Sequence, residues 1–291
     1  MKTLNIAITI TIGFLLLFAA GRIINSQIEE KNWIDPNGRM VFPDRGEVKF
    51  TQTQISEGKY KIVYDSKGTD IHAHLYKPSV TNAPAVIIAP AAGAPKEGQE
   101  DFAKWLVDQG YAVLVLDQRE IGETKWTAPD PQTEYDAFMQ KKKETTEQLM
   151  IYDVLKAYDL MSQIEGVDEN NIILEGESMG GRFAMVAAAI EPKIKGIIVI
   201  SSSGYGTVTG PLKEYVDTIN PDHYVNLISP RKLVMLHSPT DSVVPAILAQ
   251  ETYELAKEPK EFIEMPKPCN HGNCDEIRDT LLEKLEEIHN S

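Results

Sequence analysis

The chain has 291 residues, enough to bury one large core or two small ones. With 42% hydrophobic and 25% charged residues, its composition is that of an ordinary globular protein. The net charge of −14 argues against non-specific attraction to nucleic acid, so no nucleic-acid partner is expected and a solvated acidic surface accounts for the charge.

Residues 1–24 read as a signal peptide or a membrane anchor. After Lys2, "LNIAITITIGFLLLFAA" (residues 4–20) carries no charge. It is longer than most signal-peptide cores and slightly short of the roughly 20 residues of a spanning helix. Ala19-Ala20-Gly21 offers a cleavage site before Arg22, and the two readings stay open. No cysteine lies near, which excludes a lipoprotein anchor. Either reading sends residues 27–291 out of the cytoplasm, secreted, periplasmic or membrane-anchored, where disulfides persist. Residues 25–46 are polar and broken by Pro and Gly, as in a linker or irregular lead-in to a domain over 47–291.

Three strands are predicted next, in "EVKFTQTQI", "KYKIVYD" and "DIHAHLYKP". The third alternates best, with Ile71, Ala73 and Leu75 on one face. His72 and His74 share the other face at a spacing a metal could use, but without a third ligand nearby they read as solvated. From residue 85 the rhythm changes. "AVIIAP" and "YAVLVLD" are continuous apolar runs, suited to strands buried on both faces. Between them "EGQEDFAKWLVDQG" is helical, with Phe102, Trp105 and Leu106 on one stripe and Gly110 as its stop. Residues 120–144 form a polar loop with room for a short helix. "TTEQLMIYDVLKAYDLMSQ" is an amphipathic helix through Ile151, Val154, Leu155, Tyr158 and Met161. Strands in "NIILEG", "IKGIIVIS", "RKLVMLH" and "KEFIEMP" then alternate with helices in "GGRFAMVAAAIEP", "PAILAQETYELAKE" and the C-terminal stretch through Ile277, Leu281, Leu285 and Ile288. Such alternation implies one domain with a mainly parallel sheet covered by helices on both faces, its first strands antiparallel.

"NIILEGESMGGRFAMVAAAI" runs strand, Gly176-Glu177-Ser178-Met179-Gly180-Gly181, helix. That is a G-x-S-x-G nucleophile elbow in its required context. The turn is so sharp that the serine sits in strained backbone, and its neighbours at −2 and +2 must be small. Ser178 is thereby lifted above the C-terminal edge of the sheet, beside the positive end of the helix. A serine hydroxyl needs a base, and the base needs an acid to fix its tautomer. "SPTDSVVP" puts Asp241 in a loop after "KLVMLH", and "KPCNHG" puts His271 in a loop after "EFIEMP". Parallel strands share one C-terminal edge, so both loops emerge beside Ser178.

These motifs, in this order and each after the expected strand, make the chain resemble an α/β-hydrolase over roughly residues 60–290. The compact dienelactone-hydrolase-like and prolyl-oligopeptidase-like branches are most similar. The resemblance implies Ser178 as nucleophile, His271 as general base and Asp241 as orienting acid, with neither cofactor nor metal. The family's oxyanion loop, often His-Gly-x-Gly, here reads "IIAPAAGAPKEG", with Ala89-Pro90 in place of His-Gly. Since backbone N–H groups do the stabilising, Ala91, with Ala92 one register away, and Met179 are the expected donors. "DQREIGET" carries Glu120 where the family pattern D-x-R-G-x-G-x-S has Gly, and Asp117 reads as structural.

His223, next to Asp222, is a weaker candidate base because its segment precedes the acid strand. His237 reads as packed or supporting, and the serines of "SSSGYG" (201–206) as pocket lining. Cys269 and Cys274, the chain's two cysteines, bracket His271. Zinc would need about four ligands and would consume the base, so a Cys269–Cys274 disulfide that clamps the histidine loop is the expectation. The short stretch 201–231 leaves no room for a full helical lid, so an open pocket roofed by 120–144 and 204–228 is expected. The expected function is cleavage of a small carboxylic ester through an acyl-enzyme, the substrate being a small ester or a short peptide. A peptidase or amidase of the same fold, a non-catalytic binding protein and a metallohydrolase are the alternatives. Membrane contact would come only through the N-terminal segment, and the oligomeric state stays open.

Overall fold

A computed structural model describes residues 33–141 and 143–291. The apolar stretch 4–20 and the cleavage site before Arg22 lie outside the described residues. Among the described residues, no helix is long and apolar enough to cross a membrane.

Nine strands form one sheet: β1 Phe50–Ser56, β2 Lys59–Ser66, β3 Thr69–Tyr76, β4 Ala83–Ala89, β5 Ala112–Leu116, β6 Val167–Glu177, β7 Gly196–Ile200, β8 Lys232–His237 and β9 Lys260–Glu264. Their order is β1-β2-β3-β5-β4-β6-β7-β8-β9. The first three strands are antiparallel, β3 joins β5 antiparallel, and β5 through β9 run parallel. This is the expected α/β-hydrolase sheet.

The period-2 pleat sorts the strand side chains to two faces. On one, Ala85, Ile87, Leu114, Ile172, Leu174 and Ile197 meet α3 (Thr146–Met161) and α4 (Met179–Ile190). On the other, Val86, Ile88, Val113, Val115, Ile173 and Ile198 meet α1 (Glu100–Asp108) and α7 (Arg278–His289). Each fully buried Ile or Leu contributes about 1.5–3 kcal/mol, so two continuous apolar layers fix which face each helix covers. At the start of α3 the Gln148 side chain accepts the Thr145 N–H at 2.8 Å, half of a capping box. Gly110, at φ +92°, lets the chain leave α1.

Several details differ from the sequence reading. β1 begins at Phe50 and is exposed along its whole length, because it is the sheet's edge and has no layer above or below. β6 begins at Val167, since Ala83 at the start of β4 pairs with it. His74 is buried and His72 half-buried rather than solvated, because Lys96 and Glu97 of the next loop fold over their face. Burial lowers both histidines' pKa values. His74, Glu97 and Glu123 converge as a metal site would require, but the Lys96 ammonium stands among them, 2.9 Å from Glu97 and 3.0 Å from Glu123. Residues 33–46 contain no helix or regular strand, yet Met40 and Phe42 are buried. The Met40 N–H donates to the Tyr224 hydroxyl at 2.7 Å, and Arg45 pairs with Asp159 and Glu191.

α2 (Pro131–Lys141) and the short α5 (Lys213–Asp217) belong to the segments that leave β5 and β7 at the parallel strands' C-terminal edge. Tyr135 donates to the Pro211 carbonyl at 2.8 Å, and the Phe138 and Tyr215 rings meet edge to face at 5.6 Å. The two roof segments are therefore one connected layer. The remaining helix, α6 (Ala246–Leu255), links β8 to β9.

Candidate active site

Ser178 stands between β6 and α4 with φ +52° and ψ −116°, a strained conformation for a residue with a Cβ. The surrounding glycines explain how it is held. A Cβ on Gly176 would lie 2.6 Å from Gly181 Cα, and one on Gly180 would lie 2.0 Å from the Ala89 carbonyl oxygen. One on Gly181 would lie 2.6 Å from Ser202 Cβ. Strand, helix and both flanking loops thus close around the turn with no space for side chains. The Ser178 N–H donates to the Ile200 carbonyl at 2.9 Å, and the Ser178 carbonyl accepts Gly181 N–H at 3.1 Å to start α4.

The structure brings the three sequence-predicted triad residues together. His271 Nε2 lies 3.1 Å from Ser178 Oγ, and its Nδ1 lies 2.8 Å and 3.0 Å from the two Asp241 oxygens. Asp241 Oδ1 also accepts the N–H groups of Val243 at 2.8 Å and Val244 at 2.9 Å. Burial pushes the Asp241 carboxyl up, but His271 and those two amides outweigh it and hold it below the ordinary carboxylate range. His271 therefore faces an ionised acid on one nitrogen and a hydroxyl on the other. The imidazole with its proton on Nδ1 satisfies both contacts and leaves Nε2 to accept.

The histidine loop has several anchors. Cys269 and Cys274 form the expected disulfide, with Cα atoms 6.0 Å apart. Cys269, Cys274 and Glu276 converge, but sulfurs bonded to each other supply no thiolate to a metal. The Ser238 hydroxyl donates to the Cys269 carbonyl at 2.9 Å, and the Gly272 N–H donates to Ser201 Oγ at 2.9 Å. Gly272 has φ +81°, and a Cβ there would lie 2.2 Å from Glu177 Oε1. Ser201, expected only to line the pocket, braces this loop. No sequence signal distinguishes it from Ser202 and Ser203, because its partner lies 71 residues away.

Met179 opens α4 directly after Ser178, half-buried. Ala91 follows β4 in the loop that the Gly180 backbone abuts, and Gln118 steadies that loop by donating to the Pro90 carbonyl at 2.6 Å. Ala92 is exposed one residue further on. Asp117 is buried and accepts from Lys96 N and Nζ, both at 2.7 Å, and from Glu123 N at 2.8 Å, so it organises the neighbouring loop. Burial works against the Lys96 charge, but its carboxylate partners outweigh this and raise its pKa. Glu120, standing where glycine is usual, takes φ +72°.

The weaker candidates fall elsewhere. His223 lies 3.1 Å from Asp217 on the surface, while Asp222 accepts Gly206 N–H at 2.9 Å and Thr252 Oγ1 at 2.7 Å. Neither is brought to Ser178, because 221–227 forms two short 3-10 turns ahead of β8. Beneath the elbow, Glu175 is buried and its Oε1 has no partner among the described residues. Burial, with the nearby Glu177 charge, pushes its carboxyl well above the ordinary range. At the roof, the Arg182 guanidinium stacks 4.4 Å over Tyr205.

A family model described as acetyl xylan esterase (AXE1) matches residues 42–202, from the lead-in through β7, including the elbow. The uncharacterized protein YfhR of Escherichia coli O157:H7 is 24% identical over 173 residues, covering 57% of this chain and 55% of that protein. The chain spans about half the length of the YfhR relatives it matches. Among solved structures, an acetyl xylan esterase from Paenibacillus sp. R4 has a TM-score of 0.70 at 18% identity, covering 83% of this chain and 88% of that one. Acetyl xylan esterase 1 from Thermoanaerobacterium sp. JW/SL YS485 has a TM-score of 0.69 at 15% identity, with 91% and 92% covered. These two likenesses establish the fold, and the family match spans more than half of the sequence. The chain therefore belongs to the acetyl xylan esterase (AXE1) family and has the α/β-hydrolase fold.

Proposed function

We propose that this protein is a serine hydrolase that cleaves a small carboxylic ester through an acyl-enzyme intermediate. The single observation that carries the reading is the continuous contact Asp241–His271–Ser178, at 2.8 Å and 3.1 Å. Ser178 Oγ attacks the ester carbonyl as His271 Nε2 takes its proton. Asp241 holds the imidazole orientation and stabilises the imidazolium. Negative charge gathers on the carbonyl oxygen, where the N–H groups of Met179 and Ala91 are the donors, the former at the positive end of α4. His271 then protonates the leaving alcohol. A water molecule, deprotonated by the same nitrogen, attacks the acyl-enzyme; the bond from the acyl carbon to Ser178 Oγ breaks as His271 returns the proton to Oγ, and the acid leaves.

A roof of two short elements and the fold shared with acetyl xylan esterases favour a small acyl group such as acetyl. The N-terminal segment is read as an export signal or anchor, so the enzyme would act outside the cytoplasm. Cell fractionation with an antibody against residues 47–291 tests this, and recovery in the cytosol alone would overturn it.

The function is tested with p-nitrophenyl esters of increasing acyl length, beside aminoacyl and peptidyl amides. Turnover should be highest on the acetate and fall as the acyl chain lengthens. A fluorophosphonate probe should label wild type and not Ser178→Ala. Turnover of amides alone would remove the esterase reading, and an unlabelled, folded wild type would remove the serine-hydrolase reading.

A further inference from the structure

His237 is the last residue of β8, where the loop carrying Asp241 begins, and it also touches the start of the loop carrying His271. Its carbonyl accepts the Met265 N–H at 2.9 Å, where the histidine loop leaves β9. Its side chain turns to the other loop. Nε2 lies 2.9 Å from the Val244 carbonyl oxygen and 3.5 Å from Asp241 Oδ2. A carbonyl can only accept, so the proton is on Nε2. The residues tied down are those that grip the acid, because Asp241 Oδ1 takes the Val243 and Val244 amides.

The imidazole is buried, 1% exposed, and stacks on Phe262 of β9 with ring centroids 6.5 Å apart. Its Nδ1 has no partner among the described residues. An apolar side chain would pack in this position without stranding a polar atom, and a stranded one is costly. The feature an apolar side chain would lack is the Nε2–H bond to Val244.

We propose that His237 is a positioning residue of this hydrolase, whose Nε2–H fixes the 241–244 turn and so aims the Asp241 carboxylate at His271. The proposal rests on reading Asp241 as the orienting acid. Val244 is held from below by His237 and presents its amide above to Asp241. The turn then has one height over the sheet, and the carboxylate can meet Nδ1 at 2.8 Å. Without the bond the turn is free to lift, and the imidazolium formed during attack loses its counter-charge.

The test compares His237→Phe, which keeps a stacking ring and removes the donor, with His237→Gln, whose amide nitrogen reaches the same point. The Phe variant should lose about ten- to a hundredfold in kcat, since a misplacement of about 1 Å in a catalytic geometry can cost about 10²-fold. KM should change by less than about twofold, because ground-state binding is untouched. His237→Gln should recover most of kcat. A folded Phe variant with wild-type kcat overturns the proposal, as does a Gln variant as impaired as Phe. If Phe does not fold, His237→Asn replaces it, its amide too short to reach Val244. Asp241→Ala separates the two readings. Full activity in that variant removes Asp241 from the mechanism, whereas an inactive Asp241→Ala beside a normal His237→Phe removes only the role of His237.

Discussion

The Ser201 hydroxyl accepts the Gly272 N–H at 2.9 Å, so the residue after β7 braces the loop that carries His271. Ser201 is itself fully buried and sits at φ +51°. Its bond holds the residue next to His271. Ser201→Ala leaves a buried amide without its acceptor, at a cost of about 1–3 kcal/mol. Thermal melts should show a Tm lower by several degrees, and steady-state kinetics should show kcat reduced more than KM is raised. An unchanged Tm and kcat would mean that the loop stands without this bond.

Gly180 makes a second test of loop contact. A Cβ there would meet the Ala89 carbonyl oxygen at 2.0 Å and the Pro90 carbonyl oxygen at 2.5 Å, and neither is a flexible side-chain end. Gly180→Ala must push the 89–92 loop away from α4. Loss of one oxyanion donor typically costs about 10²–10³ in rate. Overpacking adds about 1–3 kcal/mol of destabilisation. The variant should still be labelled slowly by a fluorophosphonate, because Ser178 and His271 remain. Wild-type turnover would contradict the assignment of Ala91.

The disulfide closes a loop of sequence separation 5, so chain entropy gives it roughly 2 kcal/mol at most. Its larger effect is local, since His271 lies inside the loop. Reduction, or the paired Cys269→Ser and Cys274→Ser substitutions, should lower kcat severalfold while Tm falls only modestly. Equal activity in oxidised and reduced protein, measured with thiol counts, would refute this.

Glu175 supplies a pH dependence of stability. Its folded pKa is raised by burial and by Glu177, so its contribution is fully present below the ordinary glutamate pKa and is lost as pH rises toward the folded value. Glu175→Gln has no proton to lose. The Tm difference between variant and wild type should therefore be smallest near pH 4 and should grow in favour of the variant by pH 8. A difference independent of pH would show that Glu175 does not titrate in this window.

The elbow, the convergence of Asp241 and His271 on Ser178 and the parallel sheet were legible because each rests on local pattern. Apolar runs mark the buried strands, small residues mark the sharp turn, and loops after parallel strands share an edge. Cys269 and Cys274 were legible for a similar reason, being close in sequence around His271. The burial of His74 was not, because it depends on Lys96 and Glu97 folding across a neighbouring strand. Nor was the Arg119–Asp153 ion pair, at 2.8 Å with both side chains buried, or the bond from Gly272 to Ser201. Such contacts join residues tens of positions apart, and period and spacing carry no record of them.

The place of each catalytic strand in the sheet also has a consequence for heat inactivation. Ser178 follows β6, which is flanked by β4 and β7 in the sheet's middle, whereas His271 follows β9, the last strand and only half-buried. Local opening takes the least free energy at such margins. On warming, the base should drift from a nucleophile that is still in place, so catalysis fails at the rim while the centre of the molecule remains folded, and brief heating followed by cooling restores turnover without a refolding step.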